Sequence, residues 1–357
     1  MKKIITLSLS LTSVLGTVML SSCSRSKKEQ VLIYSTAEEE RIAFMQEELN
    51  AKFPNYNIVI QEIGTGALVS KMQGEGSNTE CDIIHELEIT NMETLLAKDP
   101  NLFYSLDEYD FDKFTETVLP YEHRKYAPEC MTYCAIVYNK KVLNDRGLPV
   151  PTTYNDLLDS RYEGLISMPN PKSSGTGYAF YNGLVSALGN DAAMSYFDSL
   201  NSNIKEYTTS GSTPIKSADR GEIAIGFAML WQCVEYSKKN SDLEYTYLDL
   251  GCPYNLYDMA IINGHQTRTA VKEVFDFIFN ELNQKDVEKF VPDACYKVMN
   301  PEIEGYPTNI TPINMSGVCD PVYKKTLLDA WKQAAHGEKH HSCQGDDLSH
   351  FSQSLSG

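Results

Sequence analysis

Ser167-Met-Pro-Asn-Pro-Lys-Ser-Ser-Gly-Thr-Gly-Tyr-Ala-Phe-Tyr181 joins a short apolar strand to a helix through a loop bounded by prolines and crowded with hydroxyls and glycines. The strand predicted over Gly164–Met168 ends at Pro169, and the helix begins where Ser173, Ser174, Gly175, Thr176 and Gly177 cluster. Glycine lets backbone N–H groups come close to a ligand, and the three hydroxyls add side-chain donors. A helix N-terminus behind such a loop supplies unpaired N–H groups and the positive end of the macrodipole, which suits an oxyanion. The same residues would also serve as an ordinary N-cap. The rest of the chain has to decide between the two.

Upstream, Gln30–Tyr34 reads as a strand, and Ser35-Thr-Ala-Glu-Glu39 opens a helix whose apolar positions (Ile42, Phe44, Met45, Leu49, Phe53) keep helical spacing. Asn57–Gln61 is the next strand. It ends at Gly64-Thr-Gly66, before a helix predicted over Ala67–Gln73. Cys81–His85 is a third strand, ending at Glu86. Alternation of this kind predicts a parallel sheet with helices on both faces, and ligands in such sheets bind beyond the carboxyl ends of the strands. Downstream, strands are expected at Thr132–Tyr138, Glu222–Gly226 and within Gly251–Ile262. A second donor-rich loop, Thr208-Thr-Ser-Gly-Ser-Thr-Pro214, leads into a helix ending near Gly221, and Thr269–Leu282 reads as one amphipathic helix.

The chain has 357 residues, enough for two cores, and its formal charge of -17 argues against nucleic acid or an anionic membrane surface as partner. A buried site answers to its local donors, so an anionic small molecule stays open. Lys2 and Lys3 precede an apolar run from Ile4 to Leu20, which reads as an export signal over residues 1–22. Leu20-Ser-Ser-Cys23 matches a bacterial lipobox, so acyl chains on Cys23 would hold the protein to the outer face of the membrane through a tether over 23–30. The remaining cysteines show no CxxC, and Cys81, Cys134 and Cys233 sit in apolar runs where a free buried thiol is common. The stretch 336–357 holds His336, His340, His341 and His350 and reads as a polar tail, a metal-scavenging role being the alternative.

The order of Leu32–Thr36, Gly64–Gly66, Cys81–Ile84, Tyr133–Asn139, Leu148–Leu157, the loop at 173–178, Gly221–Gly226 and Ala260–Gly264 resembles the solute-binding proteins of bacterial ABC importers. The group that includes ferric-ion, aminoethylphosphonate and sugar-phosphate binders is the nearest in pattern. The resemblance implies an α/β, two-lobed periplasmic-binding-protein type II (Venus-flytrap) fold with a ligand cleft between the lobes. It places lobe one at 31–131 and 253–300 and lobe two at 132–252 and 301–335. It further implies a monomer in the cell envelope or periplasm, without a cofactor, that closes on a small solute and is recognised by an ABC permease.

Loops at the strand ends supply the expected ligand-binding residues. Tyr34, Ser35, Thr36, Thr65, Gly66 and Glu86 would face the cleft from lobe one, with Tyr254 and Asp258 from the return strand. Ser174, Gly175, Thr176, Ser210 and Ser212 would face it from lobe two. Tyr257, with Tyr34 and Tyr254, would pack on the ligand. Neutral N–H and O–H donors favour a phosphorylated or phosphonated organic solute. A ferric ion or ferric chelate comes second, because ferric binders of this group use an adjacent Tyr-Tyr pair and this chain has none. A polyamine or thiamine comes third. A sensor that shows its closed form to a membrane receptor would use the same cleft. No G-x-S-x-G, H-E-x-x-H or phosphate-loop motif occurs, which argues against an enzyme.

Overall fold

In the computed structural model, the described residues are 28–331 apart from Ala294 and Glu302. The export signal, Cys23 and the histidine-rich tail lie outside them.

Strands β1 (Gln30–Ser35), β2 (Asn57–Glu62) and β3 (Ile83–Glu88) form from the expected apolar runs, and β1 pairs in parallel with both others. Helices α1 (Glu39–Lys52) and α2 (Thr65–Glu75) connect them, and α3 (Ile89–Lys98) follows β3 without a loop. The chain then enters β4 (Ala127–Asn139), whose residues are buried almost without interruption. Such a run covers both faces of a strand at once.

Beyond β4 come α4 (Lys140–Asp145), β5 (Ile166–Pro169), α5 (Gly175–Leu188), α6 (Asn190–Leu200), β6 (Ile204–Thr208) and α7 (Thr213–Asp219). They are followed by β7 (Ile225–Met229), α8 (Leu230–Lys239), β8 (Leu243–Thr246) and β9 (Tyr254–Ile261). The amphipathic pattern after Thr269 divides into α9 (Thr269–Phe277), a wider π turn over Ile278–Leu282 and α10 (Asn283–Phe290). The last described helix is α11 (Pro321–Ala330).

The strand order is β2-β1-β3-β9-β4-β7-β5-β6, with β8 on β4. The parallel pairing expected from the alternation holds for β1, β2 and β3, but the sheet as a whole is mixed: β9 runs antiparallel to β3 and β4, and β4 runs antiparallel to β7 and β8. The reason is the route of the chain. Ala127–Tyr133 of β4 pairs with β9, whereas Cys134–Asn139 pairs with β7 and β8, so one strand passes from the first lobe into the second and β9 brings the chain back.

Packing follows the same division. Ile33, Ile83, Phe103, Met259, Phe275 and Phe279 belong to one core, and Ile136, Ile166, Phe180, Phe197, Phe227 and Trp331 to another. On β4 the alternation of side chains sends Ile136 and Tyr138 into that second core while Ala135 and Val137 enter a third, with Ile215, Leu230 and Cys233. Each fully buried Ile or Phe contributes about 1.5–3 kcal/mol, so both lobes are held by their own apolar interiors. Ile303 packs in the third core and Pro312 bridges Cys252. The seven cysteines among the described residues are free, six of them buried, in keeping with the apolar runs they occupy.

Candidate functional site

A cavity of about 330 Å³ lies where the strand ends of the two lobes meet. Its second-lobe wall is built from Ser173, Ser174, Gly175 and Thr176 at the start of α5 and from Thr209, Ser210 and Gly211 before α7. Ser174 is the N-cap of α5, its Oγ accepting the Gly177 N–H at 3.4 Å, and the N–H groups of Gly175 and Thr176 have no intrahelical acceptor. Two glycines permit this arrangement. A Cβ on Gly175 would stand 2.8 Å from the Tyr257 hydroxyl, and one on Gly211 would stand 2.5 Å from Thr176 Oγ1. The wall therefore offers hydroxyls, amides and a helix dipole, and among the described residues no charged side chain.

The first-lobe wall is different in kind. It includes Thr36, Thr65 and Tyr257, but also three carboxylic acids, Glu38, Glu62 and Glu86. Glu86 lies on the bulge that shifts the β3–β9 register between Ile84 and Leu87, and its φ of 55° is the only positive value at a non-glycine residue among those described. Its N–H donates to Glu129 Oε2 at 2.6 Å, and its Oε1 is paired with Arg41. Arg41, fully buried, also donates to Asp286 Oδ2 at 2.9 Å and lies 3.9 Å from Glu129 Oε1. His85 Nε2 stands 2.6 Å from the same Glu129 oxygen, and His85 Nδ1 stands 2.9 Å from Ser35 Oγ. Burial pushes the Glu38 carboxyl up to about 7, with Arg41 opposing. Burial also raises Glu86 well above the carboxylate range, Arg41 opposing and Glu129, Glu38 and Asp286 adding to the rise. His85, Glu86 and Glu129 bring potential metal-ligand atoms within 4.8 Å of one another, but the Arg41 guanidinium already takes the place of a cation there.

Eight of the residues expected from the sequence meet at this cavity: Thr36, Thr65, Glu86, Ser174, Gly175, Thr176, Ser210 and Tyr257. The others lie elsewhere. Ser35 is buried behind it, holding His85 and accepting the Ala37 N–H at 3.0 Å, and Ser212 backs Ser210 at 3.1 Å. Gly66 is on the opposite side of a lobe-to-lobe contact, its N–H reaching Ser173 O at 3.4 Å, and it borders a second cavity of about 520 Å³. Tyr34 is buried with Lys71 over its ring, 5.2 Å from the centroid. Tyr254 packs edge-on to Tyr133, and Asp258 is buried, accepting from the Tyr121 hydroxyl at 2.9 Å. Glu38 and Glu62 were not expected. Glu38 reads in sequence as part of an acidic first helical turn, and Glu62 as a polar strand end, so neither has a local signature of binding.

The model of the family described as bacterial extracellular solute-binding protein matches residues 95–312, more than half of the chain. The chain belongs to this family. The family is one of binding proteins, not enzymes, and places this solute-binding protein outside the cytoplasmic membrane. It is 27% identical over 191 residues to an uncharacterized protein of Haemophilus influenzae, a match that spans about half of each: 52% of this chain and 55% of that one. Its fold is similar to the periplasmic binding protein AfuA of Actinobacillus pleuropneumoniae with fructose-6-phosphate bound (TM-score 0.74, 22% identity, 85% of this chain and 98% of that one). It is also similar to iron-bound HitA of Pseudomonas aeruginosa (TM-score 0.64, 15% identity, 85% and 99%). One two-lobed architecture thus carries a sugar phosphate in one relative and iron in another, so in this solute-binding protein the ligand has to be argued from the cavity. No helix among the described residues is long and apolar enough to cross a membrane.

Proposed function

We propose that this chain is the substrate-binding component of an ABC import system that captures a small phosphorylated or phosphonated organic solute between its lobes and delivers it to the permease. The observation that carries this reading is the second-lobe wall: the start of α5 and the loop before α7 turn backbone amides and hydroxyls into one cavity. Neutral donors and a helix N-terminus stabilise a phosphoryl or phosphonyl oxygen without a lysine or arginine. Lobe one is assigned to 31–131 and 253–300 and lobe two to 132–252 and 301–335, with the cavity at their junction. Cys23 is the lipid attachment point, and the protein acts as a monomer tethered in the cell envelope.

A ferric ion or ferric chelate is the second reading, and the first-lobe wall favours it. Glu38, Glu62, Glu86 and Tyr257 are hard oxygen donors of the kind iron takes. A single tyrosine on that wall, already hydrogen-bonded by Asn255 at 3.2 Å, places it behind the phosphoryl reading. A receptor in place of the permease would use the same closed form.

Thermal melting of the soluble form starting at Ser24 tests these readings against hexose phosphates, phosphoglycerate, aminoethylphosphonate, inorganic phosphate, ferric citrate, spermidine and thiamine. A ligand at a hundred times its Kd adds about 2.7 kcal/mol and raises the midpoint by several degrees. A shift with a phosphorylated or phosphonated compound is expected. A shift with ferric citrate alone would replace the first reading by the second.

A further inference from the structure

The first-lobe wall of the cavity is short of positive charge. One guanidinium, that of Arg41, is paired with both Glu86 and Asp286 and lies 3.9 Å from Glu129, whose nearer neighbour is His85 at 2.6 Å. Glu38 adds a fourth acid on the cavity wall, and among the described residues no lysine, arginine or histidine lines the cavity. Glu86 is 2% exposed. It commits Oε1 to Arg41, and its Oε2 is buried without a hydrogen-bond partner, as is Glu38 Oε2. Natural proteins seldom leave such oxygens unserved, and a buried acid whose counter-ion is absent is costlier still. A hydroxyl of the solute would satisfy one oxygen and bring no charge. An ammonium group brings three N–H donors and the missing charge together.

We propose that the solute is bipolar, with its oxyanion on the second-lobe wall and a primary ammonium group held between Glu86 and Glu38 on the first-lobe wall. The inference rests on the oxyanion reading of the second-lobe wall. Burial raises the proton affinity of Glu38 and Glu86 although Arg41 opposes it, which agrees with the proposal, since a further cation at this wall would favour their charged forms. A cavity of about 330 Å³ limits the solute to a small molecule, so the two charged ends are separated by a short spacer.

Isothermal titration with matched probes tests the proposal: phosphoethanolamine against ethyl phosphate, and aminoethylphosphonate against ethylphosphonate, with a hexose phosphate and ethanolamine as further arms. The amine-bearing member of at least one pair should bind about ten- to a hundredfold tighter than its amine-free partner. Glu38→Gln should narrow that gap. Glu86→Gln is the more direct change but removes a partner of Arg41, so Glu38→Gln, with its melting curve checked, carries the comparison. Equal binding within both pairs, or a hexose phosphate binding tightest, overturns the ammonium site and leaves the oxyanion reading standing. Binding of ethanolamine without any phosphoryl or phosphonyl probe overturns the oxyanion reading, and the bipolar solute with it. Binding of none of the probes overturns both.

Discussion

Thr176 stands in the first turn of α5, on the cavity wall, with Gly211 packed against its hydroxyl. Valine keeps its shape and removes the O–H. Thr176→Val is therefore expected to weaken solute binding by about 1–3 kcal/mol while the empty protein melts as before, to be read by titration and calorimetry. Glu38 gives a second residue-scale expectation. Facing it are Arg41 and Glu40 of the same helical turn, Glu62 from β2, Glu86 from β3 and Tyr257 from β9. Its carboxyl sits at about 7, against 4.5 for an unperturbed glutamate, so the folded protein holds the proton more tightly than the unfolded chain does. The stability this confers is complete below about pH 4.5 and is lost as pH rises through about 7. Glu38→Gln should consequently flatten the fall in melting temperature of the empty protein between about pH 5 and pH 8. An unaltered slope would assign that dependence to other groups.

At the scale of elements, Arg41 ties α1 to β3 through Glu86, to β4 through Glu129 and to α10 through Asp286. Arg41→Met would leave three buried carboxylates without their cation. A loss of about 3–5 kcal/mol is expected, measured by urea unfolding, because the desolvation of the acids remains when their partner is gone. Sequence alone does not foretell this cluster, since its members are separated by up to 245 positions. Strand β9 shows a subtler limit. Its existence and approximate position are legible from the run after Gly251, but not which of its faces meets the ligand. Tyr257 and Asn255 project toward the start of α5, while Tyr254 and Asp258, at the alternate positions, point the other way. Alternation along a strand specifies two faces without saying which is the cleft.

For the whole molecule, the lobes touch across the cleft where Gly66 meets the backbone of Lys172 and Ser173, Glu39 lies 3.7 Å from Lys216, and Lys324 of α11 is paired with Glu88 at the end of β3. A Cβ on Gly66 would come within 2.8 Å of the Lys172 carbonyl oxygen, a backbone atom that cannot swing aside. Gly66→Ala should prop the lobes apart, weakening solute binding by about tenfold or more and leaving the liganded protein with a larger radius of gyration in X-ray scattering. Normal affinity and normal compaction would mean that this contact is not part of the closed form.

From the sequence by itself come the α/β alternation and the donor-rich loops at 173–177 and 208–213, because local spacing, glycine and capping residues act over a few positions. The expectation of a two-lobed binding protein comes from the resemblance that the order of these pieces carries. Only the tertiary structure decides that β4 serves both lobes, that the sheet is mixed, and that Glu38, Glu62 and Glu86 share a wall opposite the α5 N-terminus. Those outcomes depend on segments far apart in the chain burying their apolar faces together. Which polar groups are left in the gap between two such cores follows from how the cores pack, and nothing in the order of residues records it.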